Sequence, residues 1–180
     1  MTAANGAEPG EVRPIVVLVG PPGSGKTSVG GALARLTGKR LRDTDHDIET
    51  TAGRRIPDIF LTDGEPVFRA MERAAVATAL SEHDGVLALG GGSVLAEPTR
   101  TLLKEHTVVF LSVTMPTGVR RTGLATNRPL LTGVNPRATY KALLDARLHL
   151  YREVATLEVA TDDLTVEQVA TVIVEELRLS

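Results

Sequence analysis

The sequence predicts an α/β fold built on a central, mostly parallel sheet. Three observations carry that expectation. Short apolar runs alternate along the chain with stretches of helical pattern, the order that builds a parallel sheet. The runs Ile15–Val19, Val86–Leu89 and Val108–Leu111 are apolar without polar alternation, as in strands covered on both faces. Glycine- or aspartate-rich segments follow directly after three of the four expected strands before residue 112. In open α/β sheets, ligands sit at those carboxyl ends.

Taken in order, residues 1–13 are small, polar and punctuated by Gly and Pro, and read as a mobile tail ahead of one domain over 14–180. Ile15–Val19 is a strand, Thr27–Leu36 a helix stopped by Gly38, and Arg40–Arg42 a short strand entering Asp43-Thr44-Asp45. Asp47 to about Glu82 is helical, with breaks at Gly53 and Gly64-Glu65-Pro66. Val86–Leu89 is a strand ending in Gly90-Gly91-Gly92, Thr99–Glu105 a helix, and Val108–Leu111 a strand. Pro116–Arg121 begins a helix that breaks into Gly123–Pro136. Arg137–Val154 is a long helix, Leu157–Ala160 a last strand and Val166–Leu177 a last helix.

Composition narrows the function. Twenty basic residues against 22 acidic ones leave a formal charge of −2, which disfavours a basic nucleic-acid binder. Aromatic residues are only 3% and Trp is absent, which disfavours base stacking. Cysteine is absent, so disulfides, thiolate metal sites and cysteine nucleophiles are excluded. No stretch approaches the ~18 apolar residues of a membrane span, and no basic region followed by an apolar one opens the chain. The expectation is a soluble, cytoplasmic protein. His46, His83, His106 and His149 are scattered without metal-ligand spacing and are read as surface or structural.

Gly20-Pro21-Pro22-Gly23-Ser24-Gly25-Lys26-Thr27 fits G-x-x-x-x-G-K-[ST], with a buried strand before it and a helix after it. The glycines let backbone N–H groups curl around phosphate oxygens, and the helix adds its N-terminal partial charge. Lys26 is placed for the β- and γ-phosphates and the Thr27 hydroxyl for Mg²⁺. Neither of the next two apolar strands ends in an acid, and no Asn-Lys-x-Asp guanine reader occurs. The acid for the metal is therefore sought at Asp43 or Asp45. In an extended segment these two carboxylates share a face, within reach of one Mg²⁺ and one substrate hydroxyl. The competing reading is a helix N-cap.

Other candidates are weaker one by one. Arg69 and Glu72 stand three apart on a helix, which ordinarily means a solvated ion pair. Arg147 lies near Tyr151 on the long helix and reads as a surface arginine or as a carboxylate fork. Gly90, Gly91 and Gly92 after a strand point to close approach of backbone and ligand. Arg128 precedes Pro129 in the 123–136 stretch, which reads as a lid bringing an arginine to the γ-phosphate, or as a plain surface loop.

Together these residues resemble the shikimate kinase family of P-loop, nucleoside-monophosphate-kinase-like enzymes. The carriers are Gly20–Thr27, Asp43-Thr44-Asp45, Asp58-Ile59-Phe60 with Gly64, Glu65, Phe68, Arg69 and Glu72, Leu89–Gly92, Arg128-Pro129-Leu130, and Arg147–Tyr151. The resemblance runs from about Ile15 to Leu177. It implies a three-layer α/β/α fold with a five-stranded parallel sheet, a lid at 123–136 and a helical substrate-binding region at 44–74. It implies transfer of the ATP γ-phosphoryl group to the 3-hydroxyl of shikimate, with Mg²⁺; a monomer is the expected form. Lys26, Asp45 and Arg128 would be catalytic. ATP would be held by Gly23, Ser24, Gly25, Lys26, Thr27, Ser28, Arg121 and Arg128. Shikimate would be held by Asp45, Arg69, Gly90, Gly91, Gly92 and Arg147, with Arg121 near adenine. The metal would be held by Thr27 and by Asp43 through water. Many relatives carry Arg and Pro in the loop before the last helix. Here it reads Thr161-Asp162-Asp163-Leu164-Thr165, with neither. The alternatives are another small-molecule kinase, such as a gluconate kinase, and a non-catalytic ATP-binding module.

Overall fold

The computed structural model describes residues 10–123 and 135–180. Most of the expected tail, and residues 124–134 of the expected lid with Arg128, lie outside the described residues. The strands are β1 (Val16–Val19), β2 (Leu41–Asp43), β3 (Val86–Ala88), β4 (Val108–Ser112) and β5 (Leu157–Ala160). They form one sheet in the order β2-β3-β1-β4-β5, and every pairing is parallel. All carboxyl ends therefore lie on one edge.

The helices are α1 (Lys26–Thr37), α2 (Thr44–Ala52), α3 (Ile56–Asp63), α4 (Glu65–Glu82), α5 (Glu97–Leu103), α6 (Met115–Thr122), α7 (Pro136–Val154) and α8 (Val166–Leu177). Alternation along β1 sorts the core into two layers. Val16 and Leu18 join Leu33 of α1 and Ile173 of α8 on one face. Val17 and Val19 join Leu80 of α4, Leu103 of α5 and Tyr151 of α7 on the other. This is the three-layer α/β/α arrangement. A third, smaller cluster of Ile48, Ile56, Ile59 and Phe68 ties α2, α3 and α4 together, so residues 44–74 carry a small core of their own.

Local chemistry sets the ends. Gly38 and Gly53 close α1 and α2 in the left-handed region. Thr165 and Gln168 form a reciprocal capping box on α8. Pro98 sits in the first turn of α5 and starts that helix two residues before the expected Thr99. The last residue of the expected tail is attached: Arg13 Nη2 donates to Glu105 O at 3.0 Å. His83 is buried with Nε2 near the carbonyls of Arg40 and Val86, a structural placement. No helix among the described residues is long and apolar enough to cross a membrane.

Candidate active site

The loop from β1 into α1 places Gly25 at φ 91°, one residue before the first residue of α1. A side chain there would be strained, and the left-handed turn aims the first N–H groups of α1 into open space. Lys26 Nζ folds back over the loop and donates to Gly20 O at 2.7 Å and Pro21 O at 3.1 Å. Thr27 Oγ1 donates to Asp43 Oδ2 at 3.1 Å. The motif and the nearest acid of β2 therefore meet as the sequence requires. One hydroxyl and one carboxylate are hard oxygen donors, and Mg²⁺ takes few protein ligands beside water and phosphate. The pair fits that ion. No cluster of three or more His, Cys, Asp or Glu competes for a metal among the described residues.

Asp43 and Asp45 are not an extended pair. β2 ends at Asp43, and Asp43 Oδ1 caps α2 by accepting from Asp45 N at 2.9 Å. Asp and Thr favour exactly this kind of helix start, which is why the strand stops there. Capping uses one oxygen of Asp43, and the second still reaches Thr27. Asp45 sits in the first turn of α2 and lines the cavity beside the phosphate loop.

The triple glycine is the hub. A Cβ on Gly90 would come 2.6 Å from Asp45 Oδ1 and 3.0 Å from Glu72 Oε2. A Cβ on Gly92 would overlap the Arg69 guanidinium. The space that side chains at Gly90 and Gly92 would need is thus filled by Asp45, Glu72 and Arg69, and that at Gly91 by Pro22 and Gly20 of the phosphate loop. Gly91 O accepts from Tyr151 Oη at 2.5 Å.

Two sequence expectations change here. The Arg69–Glu72 pair is not a solvated one. Arg69 Nη1 donates to Glu72 Oε1 at 2.7 Å, and Glu72 is only 3% exposed. Arg147 is not a surface arginine; it is 6% exposed. Burial pushes the Glu72 carboxyl above its usual range, although Arg69 and Arg147 pull it back. Arg147 is buried and Arg69 half-buried beside the Glu72 carboxylate, while Arg69 Nε also donates to the exposed Glu65 at 3.2 Å. Two guanidiniums facing one buried carboxylate are a setting for a small anion. Glu72 was the group that spacing alone undervalued. Beside the family resemblance, its signal was the i, i+3 relation to Arg69, because burial of α4 against the glycine loop is not written locally.

A cavity of about 500 Å³ joins the phosphate loop to Asp43, Asp45, Gly91 and Arg121 and runs on to the loop 161–165. Gly23, Ser24, Gly25, Lys26, Thr27 and Ser28 all line it. Arg69, Gly90, Gly92 and Arg147 do not: Gly90 abuts Asp45, Gly92 abuts Arg69, and Arg147 stands beside Glu72 and Tyr151. Arg121 donates to Gly23 O at 3.2 Å and to the hydroxyl and carbonyl of Thr161 at 3.0 and 3.1 Å. Thr161 therefore fixes Arg121 at the far end of the cavity, in a loop that lacks the expected Arg and Pro. Burial pushes the Asp162 carboxyl up, but hydrogen bonds from Thr114 and Thr117 outweigh it and hold it below the usual range. That bond staples the loop to the start of α6.

A phosphate loop after β1, a hydroxyl–carboxylate pair beside it and an arginine–glutamate cluster behind the glycine loop are the parts of a P-loop kinase acting on a small molecule. The shikimate kinase family model matches residues 22–178. A shikimate kinase of Saccharopolyspora erythraea is 64% identical over 92% of this chain and 95% of its own. One from Salinispora arenicola is 60% identical over 88% and 95%. The solved shikimate kinase of Acinetobacter baumannii, in complex with shikimate, superposes with a TM-score of 0.89 at 38% identity over 93% of both chains. The chain belongs to the shikimate kinase family. A gluconokinase of Sinorhizobium meliloti, at 21% identity and TM-score 0.56, shares the fold.

Proposed function

We propose that the protein transfers the γ-phosphoryl group of ATP to the 3-hydroxyl of shikimate, giving shikimate 3-phosphate and ADP. The observation that carries this reading is the Arg69–Glu72–Arg147 cluster packed behind the Gly90–Gly92 loop, whose Gly91 lines the same cavity as the phosphate loop and Asp45. Family membership and a 38% identical relative solved with shikimate support it.

In this reading Lys26 exchanges the carbonyls of Gly20 and Pro21 for phosphate oxygens and neutralises charge as it shifts to the leaving group. Thr27 and, through water, Asp43 would hold Mg²⁺, which would supply charge neutralisation to the triphosphate. Asp45 orients the attacking hydroxyl and accepts its proton. Arg69 and Arg147 grip the substrate carboxylate, and the backbone of Gly90–Gly92 holds ring hydroxyls. Glu72 orients Arg69. Arg121 stands at the base end of the cavity. Arg128, beyond the described residues, is assigned to the γ-phosphate from the sequence and the family resemblance. One chain supplies every group named, so the proposed form is a monomer, and the proposed location is the cytoplasm.

The test is ADP release against a panel of hydroxylated acids. Shikimate should stimulate release strongly and gluconate weakly, since an open-chain acid must freeze several torsions to fit a pocket shaped for a ring. Faster turnover of gluconate would overturn the assignment. No stimulation by any acid would leave a nucleotide-binding module.

A further inference from the structure

The chain has two tyrosines, and both lie on α7. Both are fully buried. A buried phenol needs a partner for its O–H, and each finds a backbone carbonyl in a different loop of the site. Tyr140 Oη donates to Pro22 O of the phosphate loop at 2.7 Å. Tyr151 Oη donates to Gly91 O of the triple-glycine loop at 2.5 Å. The two loops also touch: a Cβ on Gly91 would lie 3.2 Å from Pro22 Cδ and 3.3 Å from Gly20 O. Steps of seven and four residues place Tyr140, Arg147 and Tyr151 on one helix face. The tyrosines stand about 16 Å apart along the helix axis at 1.5 Å per residue.

We propose that α7 is a rigid spacer between the donor and acceptor halves of the site, with Tyr140 and Tyr151 as its positioning residues. The mechanism follows from the planarity of the peptide. A C=O and the next residue's N–H share one plane and point opposite ways across a trans bond. Holding Pro22 O toward α7 turns the Gly23 N–H the other way, and Gly23 lines the cavity. Holding Gly91 O in the same manner turns the Gly92 N–H away from α7. Each hydroxyl thus sets the direction of one backbone donor, one for phosphate and one for the acceptor. The rings have little freedom to move. Tyr151 stacks on Phe110 with centroids 4.9 Å apart, and the Tyr140 ring packs directly on Gly118, filling the space a Cβ there would need. Burial pushes the Tyr151 phenol up to about 12, outweighing the neighbouring Arg147, so its proton stays in place at every working pH.

The inference rests on the division into donor and acceptor halves proposed above. Tyr140→Phe and Tyr151→Phe remove one hydroxyl each and keep the ring. KM for ATP, KM for shikimate, ADP affinity by calorimetry and the melting temperature are measured for both. Tyr140→Phe should raise KM for ATP and weaken ADP about five- to tenfold, the effect of one buried hydrogen bond, with KM for shikimate within about twofold. Tyr151→Phe should do the reverse. A purely structural role would lower both melting temperatures and move the two KM values together or not at all, and that result overturns the proposal. If wild type fails to turn over shikimate, the function is wrong, while ADP affinity still reads Tyr140. Should Tyr140→Phe not fold, Tyr151→Phe alone decides: unchanged KM for shikimate, or an equal rise for both substrates, rejects the spacer.

Discussion

The phosphate loop draws its groups from eight consecutive residues, Gly20–Thr27, whereas the proposed acceptor site takes Asp45 from α2, Arg69 and Glu72 from α4, Gly90–Gly92 from the loop after β3 and Arg147 from α7. The two halves also differ in where they keep their charge. Thr27 is exposed and Asp43 half-buried, so the donor half works in contact with water. Glu72 and Arg147 are almost wholly buried. A buried charge that loses its partner costs about 3–5 kcal/mol, whereas a group in contact with water can be re-solvated. Donor-half variants should therefore lose chemistry and keep stability. Acceptor-half variants should lose both.

The largest expected effect is in the donor half. Lys26→Met should cut kcat by at least about 10³-fold, since it removes the charge aimed at the transferring phosphoryl group. Its melting temperature should stay near that of wild type, and a large fall there would break the contrast. Asp45→Asn should lower kcat by on the order of 10²-fold with ADP affinity nearly unchanged. Normal kcat with poor nucleotide affinity would move Asp45 to the metal and make Asp43 the better base.

In the acceptor half, Arg147→Lys should raise KM for shikimate about tenfold or more and also lower the melting temperature, because an ammonium cannot reproduce the planar fork among Glu72 and Tyr151. Calorimetry with ADP should show no change. The smallest effect concerns pH. The Glu72 carboxyl titrates above the usual glutamate range because of its burial. As pH falls it therefore takes up a proton earlier than an exposed glutamate would, and its hold on Arg69 weakens. KM for shikimate should rise a few-fold on the acid side, in a window starting above the usual glutamate value. Glu72→Gln should flatten that limb. An unchanged limb would detach Glu72 from Arg69.

The same contrast explains what could be read from the sequence. The phosphate loop was fully legible, because its chemistry is backbone chemistry of adjacent residues and the strand and helix beside it are strongly patterned. The five strands and the start of α8 were legible for the same local reasons. Glu72, Arg147 and Tyr151 were not legible one by one. Each looks like an ordinary helical surface residue until α4 and α7 are laid on the same sheet face as Val17 and Phe110. Asp43 was ambiguous between cap and site because its two oxygens divide: one caps α2 through Asp45 N and the other meets Thr27 Oγ1 of the phosphate loop. Resemblance to a family supplied the acceptor residues before geometry did, and geometry supplied the reason that they act together. The loop 161–165 ran the other way, where Thr161 holds Arg121 by contacts that no motif encodes.

The central claim is that Arg69 and Arg147 hold the substrate through its carboxylate, and kcat/KM for shikimate against its methyl ester tests it most directly. A desolvated arginine left without its anion costs ~2–5 kcal/mol. The ester should therefore be poorer by at least about 30-fold in kcat/KM, with KM for ATP unchanged. Equal kcat/KM for the acid and the ester would contradict the account, because no carboxylate would then be gripped in the buried cluster.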